Sequence, residues 1–102
     1  MILQNKKYTF ENSTITVRRY GDVIHVIFNF SNTNIPVGGN LDLINVISNG
    51  IPAPESGVYT YYVNGQYAYE YGALANGYIR VYNRSNAVLT GGYGNIVYIA
   101  KK

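Results

Sequence analysis

The stretch TITVRRYGDVIHVIFNF, residues 14–30, constrains the fold more than any other part of the chain. Apolar and polar residues alternate on both sides of Gly21-Asp22, and a Gly-Asp pair between alternating runs is the signal of a two-residue hairpin turn. With that turn Arg19 faces Ile24, Val17 faces Val26 and Ile15 faces Phe28, so the aliphatic residues of both strands share one face. A one-residue slip would scatter them over both faces. The opposite face carries Tyr20 with Val23, Arg18 with His25 and Thr16 with Ile27, a mixed surface suited to solvent or to a subunit contact.

The remainder repeats the pattern of short runs cut by turn residues. Asn64-Gly65 is expected to join strand 58–63 to strand 66–71, and Asn76-Gly77 leads into strand 78–83. LDLINVI, between Gly39-Asn40 and Asn49-Gly50, is too short for an ordinary helix and predicts a short strand. All prolines fall in segment 31–57, and Pro52 and Pro54 exclude a central strand across IPAP because proline cannot donate to a ladder. Residues 83–86 predict a turn, AVLT a short strand, 91–94 a glycine loop and NIVYIA a closing strand. Many short strands with closely spaced turns imply an all-β fold, an antiparallel β-sandwich or jelly-roll-like knob. At 102 residues the chain suits one domain, with 1–13 either an extension or the first strand.

Composition narrows the partners. No run approaches the roughly 20 apolar residues of a membrane span, and MILQNKKYTF lacks the apolar stretch of a secretory signal, so a soluble, cytoplasmically made chain without membrane insertion is expected. There are no cysteines, which removes disulfides and thiolate chemistry. The formal charge is +3, but Lys6, Lys7, Lys101 and Lys102 lie at the two ends. Between Tyr8 and Ala100 four arginines stand against five carboxylates, a net charge of −1. Nucleic acid needs a basic face on the folded body, and none is evident here.

Catalytic chemistry has little to work with. His25, the single histidine, sits mid-strand opposite Arg18 with no carboxylate or nucleophile at a recognisable spacing. It reads as a structural or interface residue. The carboxylates are scattered, and Glu55 and Glu70 could serve as an acid–base pair only if the fold brought them within roughly 5–10 Å. Asp22 and His25 lack a third metal ligand. GGYGN precedes a strand and has no lysine, unlike a phosphate-cradling loop. No catalytic residue, metal site or cofactor is expected. The N-x-[ST] triplets at Asn12, Asn29 and Asn83 are what so Asn-rich a chain yields by chance.

The tyrosines carry the remaining signal. VYTYYVNGQYAYEYG, residues 58–72, holds six of the twelve in the chain. In the register set by Asn64-Gly65, Tyr62 faces Tyr67, Thr60 faces Tyr69 and Val58 faces Tyr71; the other side pairs Val63 with Gln66, Tyr61 with Ala68 and Tyr59 with Glu70. The face of Tyr62, Tyr67, Tyr69 and Tyr71 is expected to be packing or subunit interface. The face of Tyr59, Tyr61, Gln66 and Glu70 is either plain surface or a saccharide site, since sugars stack their C–H patches on aromatic rings flanked by groups that take the hydroxyls.

The order of units resembles the C-terminal receptor-binding head domain of bacteriophage tail-fibre and baseplate proteins. The resemblance rests on a T-V-x-R-x-G-x-x-V-x-V-like hairpin (Thr16, Val17, Arg19, Gly21, Ile24, Val26), a middle segment with Pro36, Gly38, Pro54 and Gly57, and an N-G-x-I-x-V hairpin (Asn76, Gly77, Ile79, Val81). It spans residues 14–100; the tyrosine-rich hairpin departs from it. The resemblance implies a trimeric β-sandwich head on the virion that binds host cell-wall saccharide without enzymatic activity, beside other tail or baseplate proteins. A structural domain whose tyrosine walls meet other subunits is the alternative.

Overall fold

The computed structural model describes residues 4–10, 13–65 and 67–101. The strands run β1 (Gln4–Phe10), β2 (Ser13–Tyr20), β3 (Val23–Phe30), β4 (Asn40–Asn45), β5 (Val58–Asn64), β6 (Tyr67–Ala73), β7 (Tyr78–Asn83) and β8 (Gly92–Ile99), with one 3-10 turn at Ile47–Asn49. They form two four-stranded antiparallel sheets, ordered β1-β2-β3-β8 and β4-β7-β6-β5, packed as a β-sandwich. In the second sheet the meander β5-β6-β7 is completed by β4 returning beside β7, a Greek-key arrangement. Segment 4–10 is thus the first strand, paired with β2.

The Gly21-Asp22 hairpin forms in the expected register, with Arg19 opposite Ile24, Val17 opposite Val26 and Ile15 opposite Phe28. Gly21 adopts φ 62°, the left-handed region that glycine enters without steric cost. Ile15, Val17, Ile24, Val26, Phe28 and Phe30 are all buried, so this one hairpin supplies much of the core. At about 25 cal/mol per Å² of apolar surface, burying each such side chain contributes roughly 1.5–3 kcal/mol before chain entropy is counted.

The tyrosine hairpin pairs two residues away from the expected register. Asn64 lies opposite Tyr67, Tyr62 opposite Tyr69, Thr60 opposite Tyr71 and Tyr61 opposite Glu70. The turn therefore moves one residue along the chain, with Gly65 at φ 60°. A slip of two residues changes every partner but no face, because side chains alternate with period two.

The other departures have local causes. LDLINVI divides into β4 and the 3-10 turn, and an irregularity at Asp42/Ile44 turns both Leu43 and Ile44 inward. AVLT contributes only an isolated bridge, Leu89 with Ile35. Segment 91–94, expected as a loop, is instead largely the start of β8, where Gly92 lies opposite Phe30 and Gly94 opposite Phe28. A Cβ on Gly94 would stand 2.6 Å from Tyr71 Cζ and 2.8 Å from Phe28 Cζ; on Gly92 it would stand 3.0 Å from Phe30 and Tyr69 ring atoms. The glycines are strand residues whose missing side chains make room for rings. Those rings interlock across the sandwich: Phe28 meets Tyr71 edge-on at 5.0 Å between centroids, and Tyr62 stacks on Tyr69 at 4.8 Å.

IPAP stays outside the sheets, as its prolines require, and is tied to the end of β8. The Tyr98 hydroxyl donates to the Pro52 carbonyl at 2.7 Å, and Lys101 N–H donates to the Ala53 carbonyl at 2.8 Å. Burial pushes the Tyr98 phenol above its ordinary value, with Arg19 opposing weakly. The unfolded chain therefore releases this proton first, and the associated stability, complete below about pH 10, is lost as pH rises further. Tyr98→Phe is expected to cost about 1 kcal/mol at neutral pH through the lost hydrogen bond. It should also flatten the alkaline fall in stability, which urea titrations at neutral pH and about pH 11 would compare.

Candidate functional site

Alternation along β5, β6, β7 and β4 sends one set of side chains into the core and the other outward. Pairing aligns the outward set in rows across the sheet: Tyr61, Glu70, Tyr82 and Asn40 form one, and Tyr59, Gly72, Arg80 and Asp42 the next. Tyr59 and Tyr61 are about half exposed, at 52% and 56%.

Tyr59 is positioned by what its neighbours lack. A Cβ on Gly72, its cross-strand partner, would meet Tyr59 Cδ1 at 2.5 Å, and one on Gly57 would meet its hydroxyl at 2.7 Å. The ring lies across both glycines. A ring laid over bare backbone has little rotamer freedom left to lose when something stacks on it.

β7 supplies features that sequence reading had not assigned to the site. Tyr78, Arg80, Tyr82 and Arg84 alternate along one side of the strand and its exit. The Arg80 guanidinium carbon lies 5.8 Å from the Tyr78 ring centroid and 5.9 Å from that of Tyr82, and the Arg84 carbon lies 5.0 Å from Tyr82. Arg80 forks onto Asp42 of β4, with Nη2 donating to Oδ2 at 3.1 Å, and Arg84 Nη2 donates to Glu70 Oε1 of β6 at 3.1 Å. The hydrogen bonds to Asp42 and then to the Tyr82 hydroxyl hold the Arg80 guanidinium above its already high ordinary value. Tyr82 has arginine against it from two neighbours, so it acts as a spacer between them. Tyr59 and Tyr61 are the most open rings of this face, more exposed than Tyr78. The period-two spacing in YIRVYNR could have revealed this ladder from the residues alone.

Of the residues expected to bind saccharide, Tyr59, Tyr61 and Glu70 meet on this face; Gln66 lies outside the described residues. Of those expected at an interface, Tyr69 and Tyr71 are buried in the chain's own core. Tyr62 is half-buried and Tyr67 exposed, and with Tyr69, Gly91, Gly92 and Tyr93 they line a shallow cleft of about 150 Å³ at one end of the sandwich. Tyr93, unassigned from sequence, is held there: the Tyr69 hydroxyl donates to its carbonyl at 2.6 Å, and its N–H donates back to that hydroxyl at 3.1 Å. His25 sits half-buried on the outward face of the other sheet, between Arg18 and Val97.

Glu70 is engaged with Arg84, and Glu55 lies exposed in the loop before β5. Among the described residues no three His, Asp or Glu side chains gather to hold a metal. Compared with known proteins, the chain matches no protein-family model and no curated sequence.

Proposed function

We propose that this chain is a non-enzymatic adhesion module, the receptor-binding head of a bacteriophage tail-fibre or baseplate protein, which holds host cell-surface saccharide on the outward face of the β4-β7-β6-β5 sheet. The observation that carries the reading is Tyr59, laid across Gly72 and Gly57, exposed, and on the same face as Tyr61 and the Glu70–Arg84 pair. A constrained ring beside polar groups is what stacking a sugar and taking its hydroxyls requires. The resemblance in residues 14–100 supports the same role, with the head acting as a homotrimer at the tail tip of the virion. Several copies give retention that one modest site does not.

A second reading, a structural tail or baseplate domain that contacts other proteins, draws support from the opposite sheet. There Val23, Val97 and Ile99 stand exposed on neighbouring strands, an apolar face of the kind protein contacts cover. Titration with host wall polysaccharide separates the two. The adhesion reading expects saturable binding that weakens at least about tenfold in Tyr59→Ala, Tyr61→Ala, as loss of anchor tyrosines does elsewhere. No binding, or binding indifferent to both substitutions, would favour the structural reading.

A further inference from the structure

The charged side chains on the strands of the candidate face and at the exit of β7 come as two pairs of opposite sign, Asp42 with Arg80 and Glu70 with Arg84, so their charges cancel. Both guanidinium groups also lie against tyrosine rings. An anionic ligand could approach either arginine only alongside the carboxylate paired with it. That would leave Asp42 or Glu70 beside the ligand's own negative charge. A cationic ligand meets the mirror-image conflict with the arginines.

What the pairs leave available is uncharged recognition. Glu70 accepts from Arg84 through Oε1 and its side chain is 29% exposed, so Oε2 leaves acceptor capacity next to guanidinium N–H groups that can donate. An acceptor beside a donor matches two adjacent hydroxyls of a sugar ring. Tyr61 stands directly across from Glu70, and Tyr59 lies in the next row. We infer that this face selects a neutral saccharide, stacking a pyranose ring on Tyr59 or Tyr61 and seating vicinal hydroxyls on the Glu70–Arg84 pair. The inference rests on the saccharide reading above and narrows its ligand class.

The full chain would be titrated by calorimetry with neutral mannan, galactan and β-glucan oligosaccharides, and with polygalacturonate and alginate as carboxylated counterparts. Each series would be run at about 50 mM and about 500 mM salt, a range over which screening separates charge-driven from uncharged binding. The expected result is binding of at least one neutral oligosaccharide, at least about tenfold tighter than either acidic polymer, with affinity changing less than about twofold over the salt range. Glu70→Gln frees the Arg84 charge; it should weaken neutral binding about fivefold and introduce salt-sensitive binding of polygalacturonate. Tighter, salt-sensitive binding of acidic polymers by the unaltered chain would overturn the neutral class and leave the saccharide reading standing. A Glu70→Gln profile identical to that of the unaltered chain would overturn the seat assigned to the hydroxyls. Absence of binding to every polymer, or neutral binding unaffected by Tyr59→Ala, Tyr61→Ala, would remove the saccharide reading and this inference together.

Discussion

Asn83→Ala is expected to lower the unfolding free energy by about 3–5 kcal/mol, a large share of what a domain of this size has. Asn83 is fully buried at the end of β7, and its side chain serves four partners. Nδ2 donates to the carbonyls of Ile35 at 2.9 Å and Ala87 at 2.8 Å; Oδ1 accepts from Ser85 N–H at 2.9 Å and Ser85 Oγ at 2.7 Å. One amide thus joins segments far apart in the chain, next to the Ile35–Leu89 bridge. Alanine would leave buried donors and acceptors without partners, which costs more than a typical net hydrogen bond returns. Thermal unfolding should shift down by more than about 12 °C, while Asn86→Ala, at an exposed position of the same turn, should stay within about 0.5 kcal/mol of the parent. The substitution would also loosen the exit of β7, from which Arg84 reaches Glu70.

Gly94→Ala should cost about 1–3 kcal/mol, and Gly94→Val more. The added Cβ would stand 2.6 Å from Tyr71 Cζ and 2.8 Å from both Phe28 Cζ and Tyr71 Cε1, closer than real contacts allow. Both rings are buried and meet each other edge-on, so neither can swing into solvent to make room. The loss is steric, since Gly94 is not among the glycines of positive φ. In urea the midpoint should fall with an unchanged slope. A Phe28→Leu background should reduce the penalty of Gly94→Ala by at least about 0.5 kcal/mol, because the residues share one volume. Additivity of the two substitutions would remove the close-packing explanation.

These sites differ in how far the residues announced them. The Gly21-Asp22 hairpin was legible because two independent constraints agree on its register: the turn, and the need to bury Ile15, Val17, Ile24, Val26 and Phe28 together. For the tyrosine hairpin only the faces were legible. Pairing Tyr62 with Tyr67 or with Tyr69 buries the same side chains, so alternation cannot choose between registers that differ by two residues. Gly92 and Gly94 read locally as loop because glycine favours loops on its own account. Their place in a strand follows from aromatic rings contributed by β3 and β6.

The candidate face divides in the same way. That Tyr59, Tyr61 and Glu70 share a side of one hairpin follows from period-two alternation alone, as does the Tyr78, Arg80, Tyr82, Arg84 series. That Arg80 meets Asp42, that Arg84 meets Glu70, and that Tyr59 rests across Gly57 as well as Gly72 depends on β4 returning beside β7 and on the path of the loop into β5. Alternation is a property of each strand, set by backbone geometry every second residue. Which strands become neighbours is set by how all the apolar faces are buried at once, and partners across neighbouring strands exist only after that choice is made.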